Sequence, residues 1–310
     1  MLRFFITGVG GDVAQSIAKV IRETYGSAFI IGSDMGKRHA GHLFVDVFKV
    51  LPAANSENYI ASVASIVEEF EIDILVPTSE PEIEALSKVS ELALACKIIT
   101  PGKKVVQICL DKFKTNKFMK SIGLAVPWTV KSIESLPLGY PCIFKSMTGS
   151  GSKLLYKVKD EVEAQYLAVK HDNTIFQELL LPDDSEITCA VFRSRSGLIS
   201  ILQLKRELVD GTTSWAKVIY DSEIDRNCRL VAEQLDLIGS MNIQLRLTAD
   251  GPRIFEINPR FSSTVYMRNL IGFSDVIWSV KDTLNEDFTY PEIPLNTELV
   301  RIFDSKILVR

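Results

Sequence analysis

The sequence holds three histidines and five cysteines in 310 residues, and Cys96, Cys109, Cys142, Cys189 and Cys228 form no CxxC pair. That scarcity argues against a structural zinc site or a disulfide framework and fits a reducing, cytoplasmic setting. No apolar run approaches the ~18 residues a membrane span needs, so no membrane partner is expected. The opening MLRFFITGVGGDVAQ is interrupted by glycine too early for a signal-peptide core. A basic excess is missing too: 35 Lys and Arg stand against 39 Asp and Glu, net −4, which removes nucleic acid from the expected partners. No Ser–His–acid set or reactive-cysteine setting stands out, which argues against a covalent enzyme intermediate. A Walker-type GK[ST] loop is absent as well.

What is present is a soluble-protein composition, 46% hydrophobic and 24% charged, long enough for two or three subdomains. Residues 2–7, 28–31, 72–76 and 98–99 read as short buried strands, with helices over 12–24 and 81–95. That alternation implies parallel βαβ units in a doubly wound sheet, ending near Pro101 and Gly102. A single amphipathic helix is expected over 103–122, where Val106, Leu110, Phe113 and Lys117 recur at helical spacing. Beyond Pro127 the pattern changes to short strands at 142–145, 154–157, 174–177, 187–192, 198–204, 216–220, 241–247 and 253–256, with helices at 160–170 and 223–237.

The strongest chemical signal is a hairpin. Residues 241–247 and 253–256 flank Ala249, Asp250 and Gly251, and the second strand runs on through Asn258, Pro259 and Arg260. Side chains alternate along a strand, so Glu256 and Asn258 share a face, and Gln244 can meet them from the partner strand. The three offer hard oxygen ligands of the kind Mg²⁺ takes beside phosphate oxygens, and Arg260 adds a guanidinium that can fork to phosphate. A second signal is Lys145 at the end of an apolar strand, followed by Gly149, Ser150, Gly151 and Ser152, whose backbone N–H groups can cradle phosphate.

These segments resemble the ATP-grasp superfamily, and most of all members similar to the carbamoyl-phosphate synthase large chain. GSMNIQLRL and FEINPRFSST look like that family's metal-binding hairpin. The resemblance covers essentially the whole chain and is strongest over 140–264. It implies an α/β fold, α+β in the ATP lobes: a Rossmann-like domain at 1–101, then a two-lobed ATP-grasp domain at 102–310 with a small lobe at about 113–178. It implies ATP and Mg²⁺, two ions, with Mn²⁺ as a substitute. Gln244, Glu256 and Asn258 would hold the metal; glutamine at 244 carries one charge fewer than the aspartate of many members. Lys145 and the Gly149–Ser152 loop would hold phosphates, and so would Lys112. Gln177, Glu178, Leu179 and Leu180 would flank adenine, and Glu186 would bind ribose. Arg206, preferred over its neighbour Lys205, and Arg260 would meet the transferred phosphoryl group. Ser263 stands where many relatives have glycine. The implied activity is ligation of a small-molecule carboxylate and amine through an acyl phosphate, releasing ADP and phosphate; a homodimer is compatible with it. The chain is much shorter than a carbamoyl-phosphate synthase, so that activity itself is not expected.

Two other readings stay open. Gly8, Gly10 and Gly11 after the first strand, with Asp34 ending the second, approximate a dinucleotide fingerprint and would suit an NAD(P)-dependent oxidoreductase. A non-catalytic nucleotide-binding module is the other, since the tail after Ile271 shows little of the usual acceptor-site structure. Thr78, Ser79 and Glu80, after the third strand, sit where open α/β sheets bind ligands and are substrate-side candidates. His39 and His42 read as surface residues.

Overall fold

The computed structural model describes residues 1–149, 154–209, 211–302 and 304–307. The chain begins with β1 (Arg3–Thr7), α1 (Asp12–Thr24), β2 (Phe29–Asp34), β3 (Val47–Val50), α2 (Tyr59–Phe70), β4 (Ile74–Val76), α3 (Glu80–Leu86), α4 (Glu91–Leu94) and β5 (Lys97–Ile98). The strands form a parallel sheet in the order β3-β2-β1-β4-β5. β1 is apolar on both faces because both are covered. Phe4 and Ile6 pack with Ile17, Ala18 and Ile21 of α1, whereas Phe5 packs with Tyr59, Val63 and Val67 of α2. Strand order reverses between β1 and β4, so their C-terminal ends open a crevice at Gly8 and Thr78.

The sequence reading missed β3 and α2. It also merged α3 with α4 across Ser87–Ser90, although Ser90 accepts a hydrogen bond from Ala93 N and starts a helix of its own. The single helix expected over 103–122 is likewise two, α5 (Lys103–Cys109) and α6 (Lys112–Ser121). Asp111 separates them: its carboxylate accepts from the backbone N–H groups of Phe113 and Lys114, a cap that fixes where α6 begins.

A small antiparallel sheet follows, built from β6 (Thr129–Val130), β7 (Cys142–Ser146), β8 (Leu155–Val158), α7 (Glu161–Lys170) and β9 (Thr174–Glu178), in strand order β6-β9-β7-β8. The larger sheet comprises β10 (Glu186–Arg193), β11 (Ile199–Val209), β12 (Thr212–Ile219), α8 (Ser222–Gln234), β13 (Gly239–Thr248), β14 (Gly251–Asn258), α9 (Val265–Asn269), α10 (Asp275–Leu284) and β15 (Glu298–Val300). Its order is β14-β13-β10-β11-β12-β15. Ile187, Cys189 and Val191 point from β10 to one face, under α8. Ala190 and Phe192 point to the other, with Phe273, Trp278 and Tyr290. The tail after Ile271 is packed onto this sheet through Phe273, Trp278 and Tyr290. It covers the apolar half of the face whose other half is polar.

Beneath that tail lies a fully buried ion pair. Arg268 Nε and Nη2 donate to Asp275 at 2.8 and 2.6 Å, while Arg268 Nη1 donates to Ser262 Oγ and Thr264 Oγ1 at 2.8 and 2.9 Å. Both side chains are 1% exposed. A pair this deep gains little over an apolar pair of the same shape, but losing one partner strands the other. Arg268→Met should therefore destabilise the protein by about 3–5 kcal/mol in urea melts. Adding Asp275→Leu should recover most of that; a double variant no more stable than the single one would count against this account.

Candidate functional site

The three units face one another across a cleft of about 690 Å³. The small sheet contributes Ile143, Lys145, Leu155 and Lys157, and the large sheet contributes Arg206, Asn242, Gln244, Arg246, Glu256 and Asn258. The parallel-sheet unit brings Gly8, the start of α1, Thr78 and Ser79.

β13 and β14 pair so that Gln244 stands opposite Glu256, and Asn242 opposite Asn258. All four side chains share the cleft face by strand alternation. A β-bulge follows Gln244, and Lys145 Nζ reaches the carbonyl of Phe255, the neighbour of Glu256, at 3.5 Å. Lys112, at the start of α6, lies 3.6 Å from Glu256 Oε1 and donates to the carbonyl of Gly149 at 2.6 Å. Two ammonium groups thus flank one carboxylate. Ser150, Gly151 and Ser152 lie outside the described residues.

Gln177, Glu178, Leu179 and Leu180 all line the cleft at the crossing from β9 to β10. Gln177 Nε2 donates to Thr129 Oγ1 at 3.0 Å, and Glu178 accepts from Trp128 N at 3.2 Å, so both side chains brace the small sheet. Glu186 opens β10 and is held from two sides. Arg206 Nη2 approaches its Oε1 to 2.5 Å, and Arg246 Nη2 its Oε2 to 3.5 Å. Arg246 also donates to the carbonyl of Leu180 at 2.7 Å. Lys205 faces away from the cleft, on the side of Ile187.

Arg260 extends the cleft toward the first unit. Its Nη2 lies 3.4 Å from Asn258 Oδ1 and its Nε 3.6 Å from Glu80 Oε1. Thr78 Oγ1 donates to the carbonyl of Thr7. Asp34 is committed locally: it accepts from Gly10 N and Gly36 N, both at 2.9 Å, and a side-chain carbon at Gly10 would sit 2.8 Å from it. The acid that a dinucleotide ribose would require therefore closes on the glycine turn itself. His39 and His42 stack on each other, pack edge-on and tilted against Phe48, and do not line the cleft. The five cysteines are buried and unpaired, and burial pushes the Cys96 and Cys142 thiols up to about 11.

Sequence reasoning missed Asn242, Arg246 and Arg301. The first two fall in step with Gln244 along β13, a period-two signal that could have found them. Arg301 had no such signal. It follows an edge strand and ties together distant segments, donating to the carbonyls of Ser263 and Thr213 and lying 3.8 Å from Asp12.

The donor set suits a hard divalent cation, with one carboxylate and two amide oxygens facing into the cleft. The site is also strained electrostatically. Lys145 is 5% exposed, and burial lowers its pKa to about 8; Glu256 and Glu186 oppose that shift and Lys112 adds to it. A lysine depressed on folding binds fewer protons folded than unfolded, so it costs stability below pH 8 and the cost fades as pH rises toward the unfolded value. Lys145→Met should accordingly raise the ligand-free melting temperature at pH 7, by up to about 3 kcal/mol of stability, and flatten the gain in stability above pH 8. An unchanged pH profile of melting in the variant would refute the assignment.

Comparison with known proteins agrees with this geometry. Residues 109–264 match the family model described as an ATP-grasp domain, and residues 5–100 match the PylC-like N-terminal domain. No curated protein matches the sequence. Among solved structures, an N5-carboxyaminoimidazole synthetase from Staphylococcus aureus complexed with ADP aligns at TM-score 0.78 and 16% identity, over 96% of this chain and 80% of that one. An L-amino acid ligase from Bacillus licheniformis aligns at 0.73 and 16%, over 92% and 74%. The biotin carboxylase domain of 2-oxoglutarate carboxylase from Hydrogenobacter thermophilus, in complex with MgADP, ADP and bicarbonate, aligns at 0.74 and 14%, over 96% and 74%. At such identities these structures share the fold. The family match extends over half of the chain, from the helix before the small sheet through the metal-type hairpin, and the chain belongs to the ATP-grasp family.

Proposed function

We propose that this protein is an ATP-dependent ligase that phosphorylates a carboxylate and joins the resulting acyl phosphate to an amine, releasing ADP and phosphate. The observation that carries the proposal is the meeting of Lys112 and Lys145 with Glu256 beside Gln244 and Asn258, in a cleft that continues past Arg260 to a second, hydroxyl-lined end. One end suits a nucleotide and its metal, the other an acceptor. The L-amino acid ligase likeness supports a carboxylate–amine reaction, and the ADP and MgADP complexes among similar structures support the nucleotide.

In this reading the crossing from Gln177 to Leu180 flanks adenine and Glu186 takes the ribose hydroxyls. Lys112, Lys145 and the loop from Gly149 hold phosphate oxygens. Gln244, Glu256 and Asn258 hold Mg²⁺, two ions, with Mn²⁺ as a substitute; the metal supplies charge neutralisation on the phosphates. Arg206 and Arg260 stand on either side of the position for the transferred group and stabilise its charge. Arg206 is already bound to Glu186, so ribose binding and phosphoryl charge act on one linked pair. Positioning and electrostatics suffice, with no enzyme nucleophile. The chain divides into a Rossmann-like unit at 1–101 and the ATP-grasp unit at 102–310, the small lobe at about 113–178. The substrates are small molecules. Among the described residues no helix is long and apolar enough to cross a membrane. A cytoplasmic location and a homodimer are part of the proposal.

MgATP at one hundred times its dissociation constant should stabilise the protein by about 2.7 kcal/mol, with NADH giving no shift. The reverse result would restore the oxidoreductase reading. ADP release measured against pooled carboxylates and amines identifies the substrates. With the best pair, Glu256→Gln should lower turnover by roughly 10² or more. Full activity in that variant would remove the metal site.

A further inference from the structure

α3 begins at the rim of the cleft with a buried acid that a helix cap does not require. Ser79 is the N-cap residue and Glu82 its reciprocal partner. Ser79 Oγ donates to Glu82 Oε2 at 2.6 Å, and Ser79 N to the same oxygen at 3.3 Å. The glutamate of such a box serves equally well in water, and glutamate is among the residues least often buried. Glu82 is only 9% exposed. It is lodged where β1 and β4 end, facing Thr7 and the hydroxyl of Tyr59 on α2. Neither of those hydroxyls makes a hydrogen bond of normal length among the described residues.

Gly8 is required at this point. Its φ is +68°, and a side-chain carbon there would sit 2.7 Å from Thr78 Oγ1 and 3.3 Å from Glu82 Oε2. Gly8, Thr78 and Ser79 line the cleft, and Glu82 lies behind them. Thr78 gives its hydroxyl proton to the carbonyl of Thr7. Ser79 gives its proton to Glu82, which leaves its oxygen lone pairs as acceptors at the cleft wall. Arg260 fixes the position of this wall relative to the chemistry, since it touches both Glu80, the next residue, and Asn258 of the metal-type hairpin.

An alkylamine substrate is an ammonium ion at neutral pH and must lose a proton before its nitrogen can attack. Resting on the ligase reading above, we infer that Ser79 receives the ammonium group of a primary amine substrate and relays its proton to Glu82. An N–H bond of the ammonium breaks and its proton passes to Ser79 Oγ, as the proton of Ser79 passes to Glu82 Oε2. The freed lone pair forms the C–N bond to the acyl carbon. The C–O bond to phosphate breaks, its electron pair leaves on phosphate, and phosphate takes the second amine proton. Glu82 returns its proton to solvent through Ser79 after the amide departs.

The surroundings of Glu82 favour this role. Burial pushes its carboxyl above the ordinary range, the facing hydroxyls of Ser79 and Thr7 pull the other way, and Asp34 on β2 adds to the rise. A carboxylate raised in this way is a better base than an exposed one. The remaining charged and titratable groups nearby are Tyr59 on α2, itself raised by burial and by Glu82, and the Glu80–Arg260 pair on the cleft side.

Glu82→Gln tests the relay, because glutamine preserves the capping box. ADP release is followed with the carboxylate–amine pair selected by the screen, and with hydroxylamine, which is neutral at pH 7, replacing the amine. The variant should lose about 10²-fold or more with the amine and less than about threefold with hydroxylamine, since general-base assistance of that size is needed by the charged nucleophile alone. Its amine-dependent rate should climb with pH as free amine accumulates. Ser79→Ala should behave alike and Ser79→Thr should restore the amine rate. This pair decides the matter by the same criterion if Glu82→Gln does not fold. Equal losses with both nucleophiles would overturn the relay and leave the ligase reading standing. A wild-type protein that releases no ADP with any pair or with hydroxylamine overturns both.

Discussion

The carboxylate of Glu256 is the point at which opposing electrostatic demands meet. Lys145 lies almost wholly out of water, and desolvation lowers its pKa, favouring loss of its proton. Glu256 works against that loss, while Lys112 works with it. Lys145 comes from β7 of the small sheet, Lys112 from the helix before it and Glu256 from β14 of the large one, so a single carboxylate holds three separate segments in electrostatic register. The arrangement has two cations to one anion in the immediate group. It is therefore short of negative charge, which is what a polyphosphate brings.

The six-stranded sheet makes this arrangement affordable in structural terms. Along β10 one face runs from Phe192 and Ala190, packed beneath Trp278 and Phe273, through Thr188, which donates to Asn242, to Glu186 in the cleft. On β11 the same face changes at that level, Leu202 and Leu204 giving way to Arg206, and on β13 it is polar throughout, from Ser240 through Asn242 and Gln244 to Arg246. One end of a continuous face is anchored by aromatic packing, in which each edge-to-face pair is worth about 0.5–1.5 kcal/mol beyond its buried area. The other end can then hold charges in fixed positions without supplying stability of its own.

Much of this was legible in the sequence because strand alternation carries it. Gln244, Glu256 and Asn258 follow from a period of two and one hairpin turn, and Lys145 from its place at a strand end. Family membership rested on the same residues. What stayed hidden depends on contacts between distant segments. Arg246 and Arg206 converge on Glu186 only once three strands are in register. Arg301 joins Ser263 to Asp12 across most of the chain, and Asp34 folds back on Gly10, which converts a cofactor-like glycine turn into a closed one. Local helix boundaries failed for a different reason: at Asp111 and Ser90 a capping side chain outcompeted an apolar period that would have run straight on.

The closure of Asp34 over the glycine turn also bears on how such a protein can diversify. With that turn sealed, the crevice between β1 and β4 is released from cofactor binding and becomes one wall of the shared cleft. The opposite wall, with its cations and amide oxygens, is encoded by a separate stretch of chain. Val13, only partly buried in the first wall, can change in size without disturbing charges set by the second. A change in the shape of that wall therefore needs substitutions only within the first unit, while the charged wall, carried by a later stretch of chain, stays as it is.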